Sequence, residues 1–256
     1  MFGLRNNGGS CWVNACLQCV MRIPEVQDRY SNQKQDQANP LDQALSLVWT
    51  SKGNSGLEEL YRSVDTHLTP AGRGIGDSHE LLVKLCDKLP YLEEMCRFKI
   101  ADSIQCKNCD FKSLKEDSVT EYSLATDSRK MSIASCIMKS VTPNTIDEWK
   151  CEKCENKGCV KQQLIGTFPK VMVFHMVSTN FAASIEYSSI LSLNKHQYAL
   201  IGVCCFNGGH WWSYGRNMPP GSDWYTLNDG HVQQHGPKEF PLSERMRILF
   251  YYRLDN

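Results

Sequence analysis

The sequence has no surplus of either charge: 28 Lys and Arg stand against 28 Asp and Glu. A surface built to hold nucleic acid normally carries a basic excess, so nucleic acid is excluded as the expected partner. Long apolar runs are missing as well. The longest, Val171 to Phe174 and Tyr198 to Phe206, fall far short of the ~20 residues that cross a bilayer, and no membrane association is expected. Met1 leads almost directly into a polar, glycine-rich segment, so no signal peptide is expected. There is neither a repeat of fixed period nor a low-complexity tract. What remains is 41% apolar and 22% charged over 256 residues. That is the balance of a globular protein with room for a real core, in one or two domains.

Cysteine, by contrast, is plentiful. The count is 13, an odd number, and about 5% of the chain, below the ~8–10% of a disulfide scaffold. The pattern reads as reduced thiols in the cytoplasm or nucleus, some holding metal and one doing chemistry.

The texture changes along the chain. Residues 11–100 read as mainly helical. Val13, Cys16, Leu17, Val20 and Met21 recur at helical spacing, and Pro24 ends that run. Leu41 to Trp49, Gly56 to His67 and Ser78 to Leu89 continue the pattern, with a glycine-rich break from Gly72 to Gly76. From about Ile100 the reading turns to strands. Phe98 to Cys106 and Phe111 to Leu124 alternate around a Cys-x-x-Cys knuckle. Val171 to Val177, Tyr198 to Cys205, Trp211 to Arg216, Trp224 to Leu227 and Arg247 to Arg253 are short, β-branched or aromatic, and bounded by turn residues. Strands so close in sequence predict an antiparallel sheet, and helices followed by strands predict an α+β fold.

Two Cys-x-x-Cys pairs, Cys106 with Cys109 and Cys151 with Cys154, predict a metal centre. Zn²⁺ takes four thiolates in a tetrahedron, and each knuckle supplies two adjacent corners. Four protein thiolates close the site, so the zinc is expected to be structural. Cys159 nearby is a decoy or a substitute ligand.

Residues 3–18 are the densest in information. A polar, glycine-rich loop with Asn6, Gly8 and Gly9 runs into an amphipathic helix, with Cys11 at the junction. Unpaired N–H groups and the positive end of the helix dipole favour thiolate there and predict a lowered pKa. Asn6 is a side-chain donor placed to face the same substrate carbonyl. Far along the chain, Gly208-Gly209-His210-Trp211-Trp212 sets a histidine between a glycine pair and an aromatic strand. Trp224-Tyr-Thr-Leu227-Asn228-Asp229-Gly230 ends the next strand in an amide and a carboxylate. A histidine base needs a partner on its far ring nitrogen, and Asn or Asp can fix the tautomer. Neighbouring antiparallel strands would set His210 beside Asn228. His231 is the competing histidine.

These residues resemble a known family, the ubiquitin-specific proteases, which are papain-like cysteine deubiquitinases. Gly3-Leu4-x-Asn6-x-Gly8-x-x-Cys11-Trp12-x-Asn14-x-x-Leu17-Gln18 resembles their cysteine box. Tyr198-x-Leu200-x-x-Val203, Gly209-His210-Trp211 and Trp224-x-x-Leu227-Asn228-Asp229-x-x-Val232 resemble their histidine box. Asp77-Ser78-His79-Glu80-Leu81-Leu82 is similar to the acidic helix motif between them. Pro169-Lys-Val-Met-Val-Phe174 is like a strand of the family, and Ile248-Leu249-Phe250-Tyr251-x-Arg253 like its closing strand.

The resemblance implies one catalytic domain over residues 1–256, with a papain-like fold. A helical thumb would cover about 1–97, and an antiparallel β palm with zinc-bearing fingers about 98–256, the fingers around 98–165. It implies a monomer acting on ubiquitin and ubiquitinated proteins at the bond after the terminal glycine. Cys11 would be the nucleophile, His210 the base and then acid, and Asn228 the orienter, supported or replaced by Asp229. Asn6 and the Cys11 N–H would form an oxyanion hole. Glycines (Gly8, Gly9, Gly208, Gly209) would line a narrow cleft for the Leu-Arg-Gly-Gly tail, roofed by tryptophans such as Trp211. Asp77 and Glu80, three apart, would meet the tail arginine. Two alternatives stay open: a protease for a ubiquitin-like modifier with the same tail, and a catalytically silent ubiquitin-binding module.

Overall fold

Three of the helices begin on proline, which fits a first helical position because its missing N–H would have no partner there anyway. Thus Pro24 starts a helix as well as stopping the one before it. The computed structural model describes residues 1–65, 76–126, 130–178, 184–237 and 245–255. The helical part holds α1 (Cys11–Val20), α2 (Pro24–Ser31), α3 (Pro40–Thr50), α4 (Leu57–Asp65), α5 (Ser78–Lys88) and α6 (Pro90–Cys96). The end expected at His67 and most of the glycine-rich break lie outside the described residues. Strands follow: β1 (Phe98–Cys106), β2 (Lys112–Val119), β3 (Tyr122–Thr126) and β4 (Lys130–Ser132). One more helix, α7 (Ile133–Val141), precedes β5 (Asn144–Lys150), β6 (Lys157–Ile165), β7 (Val171–Ser178) and β8 (Ser184–Glu186). The chain closes with β9 (Ile190–Leu193), β10 (His196–Phe206), β11 (Trp211–Gly215), β12 (Tyr225–Asn228), β13 (His231–Gln234) and β14 (Met246–Arg253). The α+β expectation holds. No helix among the described residues is long and apolar enough to cross a membrane.

The large sheet runs β13-β12-β11-β10-β14-β7-β3, with β9 on β10, and the small one β2-β1-β6-β5. All pairs in both are antiparallel except β3 with β7, which is parallel. The stretch Phe111 to Leu124, expected as one strand, is two. β2 is exposed along nearly its whole length, whereas β3 alternates buried and exposed. At Thr120–Glu121 the chain leaves the small sheet and joins the large one, where Tyr122 pairs with Phe174.

The large sheet has a core on each face. On β14, Ile248 and Phe250 pack against the helices, while Leu249 and Tyr251 pack on the opposite face. The period of two explains why so apolar a run is a strand buried on both sides. Burial of each such side chain contributes about 1.5–3 kcal/mol. α1 differs from its expected amphipathic form: all ten of its residues are buried. It is the central helix, lying between α5 and the strands β10, β11 and β12. Gly202 permits this, since a Cβ there would lie 3.1 Å from the Cys19 sulfur.

Candidate active site and candidate metal centre

Cys11 opens α1 and is 3% exposed. Its sulfur is met by the backbone N–H groups of Trp211 and Trp12. Trp211 is the first residue of β11, and His210 directly precedes it. The turn ahead of His210 is tight. Gly208 sits at φ +95°, a region few other residues enter. The Asn207 Oδ1 accepts from the N–H groups of Gly209 (3.0 Å) and His210 (2.8 Å), which braces the hairpin from within.

His210 Nε2 donates to Asn228 Oδ1 at 2.7 Å. In the neutral ring that bond sets the tautomer and puts the free lone pair on Nδ1. Asp229 Oδ2 lies farther from the same nitrogen, at 3.9 Å. Asp229 instead ties the site together. Its carboxylate accepts from Asn6 Nδ2 (2.9 Å) and from Asn14 Nδ2 (2.8 Å). Its carbonyl accepts from the Leu4 N–H (2.9 Å). The other end of the Asn6 amide accepts from the N–H groups of Gly9 (3.0 Å) and Ser10 (3.2 Å). Asn6 is therefore fixed with one Nδ2 proton spent on Asp229 and one left over.

The thiol departs from the expectation of a lowered pKa. Burial pushes the Cys11 pKa above its ordinary 9.0, and the Asp229 charge adds to this, against the pull of the backbone N–H groups. At neutral pH the free protein therefore holds Cys11 as thiol. Alkylation of Cys11 by iodoacetamide, followed by mass spectrometry of its peptide, should still rise with pH between pH 7 and 9. A rate already flat at pH 7 would contradict this.

The remaining expected residues fall into two groups. Asp77 is half-buried and caps α5, its Oδ1 accepting from the His79 N–H at 2.7 Å. It stands just outside the helix, with exposed Glu80 in the first turn. Gly8, Gly208 and Gly209 are exposed and Gly9 partly so. The Trp211 ring is only 4% exposed: it stacks on Phe206 and donates to the Gly76 carbonyl at 3.1 Å. It is therefore packed inside and does not roof a cleft as expected; its backbone is what reaches the thiol. His231 stands exposed on β13, across from Asn228. Asn14 carries a role that sequence reasoning did not assign. It is buried, donates to Asp229 and accepts from Tyr61 Oη at 2.8 Å. An amide among apolar residues one turn after Cys11 was its signal.

At the far end of the small sheet, one sulfur from each of Cys106, Cys109, Cys151 and Cys154 lies within 4.8 Å of the others. Cys106 to Cys154 and Cys109 to Cys151 are each 3.7 Å. A tetrahedron with Zn–S bonds of ~2.3 Å has edges of about 3.8 Å, so the donor set fits zinc. The N–H groups of Asn108 (3.3 Å) and Lys153 (3.4 Å) donate to Cys106 and Cys151, as thiolate knuckles require. Cys159 pairs with Cys106 across the strands but stands outside the cluster.

A cysteine at a helix start, a histidine bonded to an amide and two cysteine knuckles are the arrangement expected of a thiol hydrolase. The family model for ubiquitin carboxyl-terminal hydrolases (UCH) matches residues 2–251, and the chain belongs to that family. Ubiquitin carboxyl-terminal hydrolase 25 of Arabidopsis thaliana is 22% identical over 316 residues, covering 98% of this chain and 47% of that protein. Ubiquitin carboxyl-terminal hydrolase 24 of Homo sapiens is 25% identical over 232 residues, covering 78% and 9%. The chain thus spans less than half the length of these two relatives. Among solved structures, a SAGA DUB module with Ubp8, Sgf11, Sus1 and Sgf73 bound to monoubiquitin superposes with a TM-score of 0.85 at 19% identity. That match covers 100% of this chain and 69% of the other. A yeast SAGA DUB module gives 0.83 at 19%, with the same coverage. These structures share the fold.

Proposed function

We propose that this chain is a thiol isopeptidase that hydrolyses the bond after the C-terminal glycine of ubiquitin. The observation that carries the reading is the convergence of the two ends of the chain: the N–H of Trp211, next to His210, at the Cys11 sulfur, the His210–Asn228 bond, and Asp229 held by Asn6 and Asn14. Residues 1–97 act as thumb, the small sheet within 98–165 as fingers, and the large sheet, with β3, as palm. Ubiquitin rests on the fingers, and its Leu-Arg-Gly-Gly tail runs past Gly8, Gly9 and Gly209. Asp77 and Glu80 hold the tail arginine through charge-assisted hydrogen bonds.

The mechanism follows from the tautomer. His210 Nδ1 takes the Cys11 proton as the sulfur attacks the glycine carbonyl carbon. The Cys11 N–H and the second Nδ2 proton of Asn6 hold the oxyanion, and one such donor is worth about 2.7–4 kcal/mol in the transition state. The imidazolium then protonates the leaving lysine amine. Water, deprotonated by the same nitrogen, releases ubiquitin from the thioester. Asn228 keeps the ring aimed throughout. Zn²⁺ held by Cys106, Cys109, Cys151 and Cys154 supplies folding energy to the fingers and takes no part in bond breaking.

Ubiquitin carrying a C-terminal electrophile tests the reading. The folded protein should gain the mass of one ubiquitin at Cys11. A folded protein that stays unlabelled would favour a silent binding module. Asn228→Ala should lower kcat about 10²-fold with KM little changed, measured on ubiquitin with a fluorogenic leaving group. A rise confined to KM would shift the orienting role to Asp229.

A further inference from the structure

The turn that carries the chain from the small sheet to the large one holds Glu121 against both α5 and β7. Its Oε1 lies 3.3 Å from His79 Nε2. The rings of His79 and His175 stack on each other, 3.7 Å between centroids and 13° from parallel. One ligand atom from each of these three residues lies within 4.8 Å of the others. All three side chains are half-buried. His79 Nε2 is shielded from solvent and has no hydrogen bond of good geometry. Ser123 Oγ flanks the group, 3.3 Å from each oxygen of Glu121 and 3.5 Å from His175 Nδ1.

We propose that His79, Glu121 and His175 form a second metal site, for a divalent first-row transition ion such as Zn²⁺, Co²⁺ or Ni²⁺. Two imidazoles and a carboxylate are a borderline donor set that suits these ions, whereas Mg²⁺ and Ca²⁺ prefer all-oxygen shells. Donors on a tetrahedral ion at ~2.0–2.2 Å stand about 3.3–3.6 Å apart, and the Glu121–His79 pair already has that spacing. The stacked rings cannot both point a lone pair at one ion, so binding requires the His175 side chain to turn out of the stack and aim a ring nitrogen at the His79–Glu121 pair. Three protein ligands leave a position for water, so the site is open and exchangeable, unlike the four-thiolate knuckles. The three residues come from a helix, a turn and a strand, which fixes their spacing through the large sheet and α5 together. The competing account is a bare ion pair of His79 with Glu121, which would bind no metal.

The test uses the full chain with its four-cysteine centre already zinc-loaded and excess metal removed. Titration with Co²⁺ should show one further equivalent, with weak visible d–d bands. The near-ultraviolet thiolate-to-cobalt band, which would report exchange at the cysteines, should be absent. Glu121→Gln and His175→Gln should each weaken this binding by about tenfold or more while leaving the zinc content unchanged. Glu121→Gln sits in a turn, so its effect is read on a folded protein, checked by thermal melting. Absence of a further equivalent overturns the proposal. So does one that both substitutions leave untouched.

Discussion

Cys11→Ala should abolish turnover of ubiquitin conjugates, with kcat/KM falling at least ~10⁴-fold. The size of the effect follows from what the sulfur does: without it no thioester forms, and the oxyanion donors and binding groups alone give only residual catalysis. The substitution should not harm the fold. Cys11 is 3% exposed at the start of a helix, and alanine fills the same backbone with one atom fewer. Ubiquitin binding measured by calorimetry should persist in the variant, and its melting temperature should stay close to that of the parent. Retained hydrolysis in a homogeneous Cys11→Ala preparation would transfer the nucleophile to another residue and dissolve the proposed mechanism.

Cys106→Ser should release the zinc and unravel the far end of the small sheet while the large sheet stands. The small sheet has little else to hold its tip. β2 is exposed along nearly its whole length, and β5 is mostly exposed. The ion pairs around the knuckles, Lys107 with Asp147, Lys153 with Asp110 and Lys157 with Glu148, lie at the surface, where each is worth at most about 1 kcal/mol. Zinc bound by small thiolate folds contributes about 10 kcal/mol or more, so the metal decides. Metal analysis should show about one zinc per chain falling to near zero. Limited proteolysis should then cut at the knuckles, around Cys106–Cys109 and Cys151–Cys154. The stretch between them gives Tyr122, Leu124, Ile133 and Ile137 to a core of the large sheet and should resist cleavage with it. Zinc content unchanged in the variant would overturn the four-thiolate assignment.

The sequence announced features whose signal is local. The knuckles could be read because two cysteines two residues apart must turn together. The helix start at Cys11 could be read because glycines and then helical spacing flank it. Features settled by packing were harder to see. The dipole argument pointed to a lowered thiol pKa, but the burial of the thiol at the start of α1 outweighs it. The division between β2 and β3 depends on which sheet each strand joins, and no residue in Thr120–Glu121 states that. Helix α7 was missed because Ile133, Cys136 and Ile137 make too short an apolar period to stand out. Asp77 caps α5 from outside, so its alignment with Glu80 is set by the cap and not by helical spacing alone. His79, Glu121 and His175 come from three distant stretches, and only the fold puts them together.

The clasp between Asn6 and Asp229 spans 223 positions, and this has a meaning for synthesis on the ribosome. At ~5–20 residues per second, roughly 10 to 45 s pass between emergence of the thiol and emergence of the groups that activate it. Throughout that interval the nascent chain carries the cysteine without the Asn228 and Asp229 that the proposed mechanism uses. On that mechanism, a translation product that stops short of β12 turns over no substrate, however well its helices have formed.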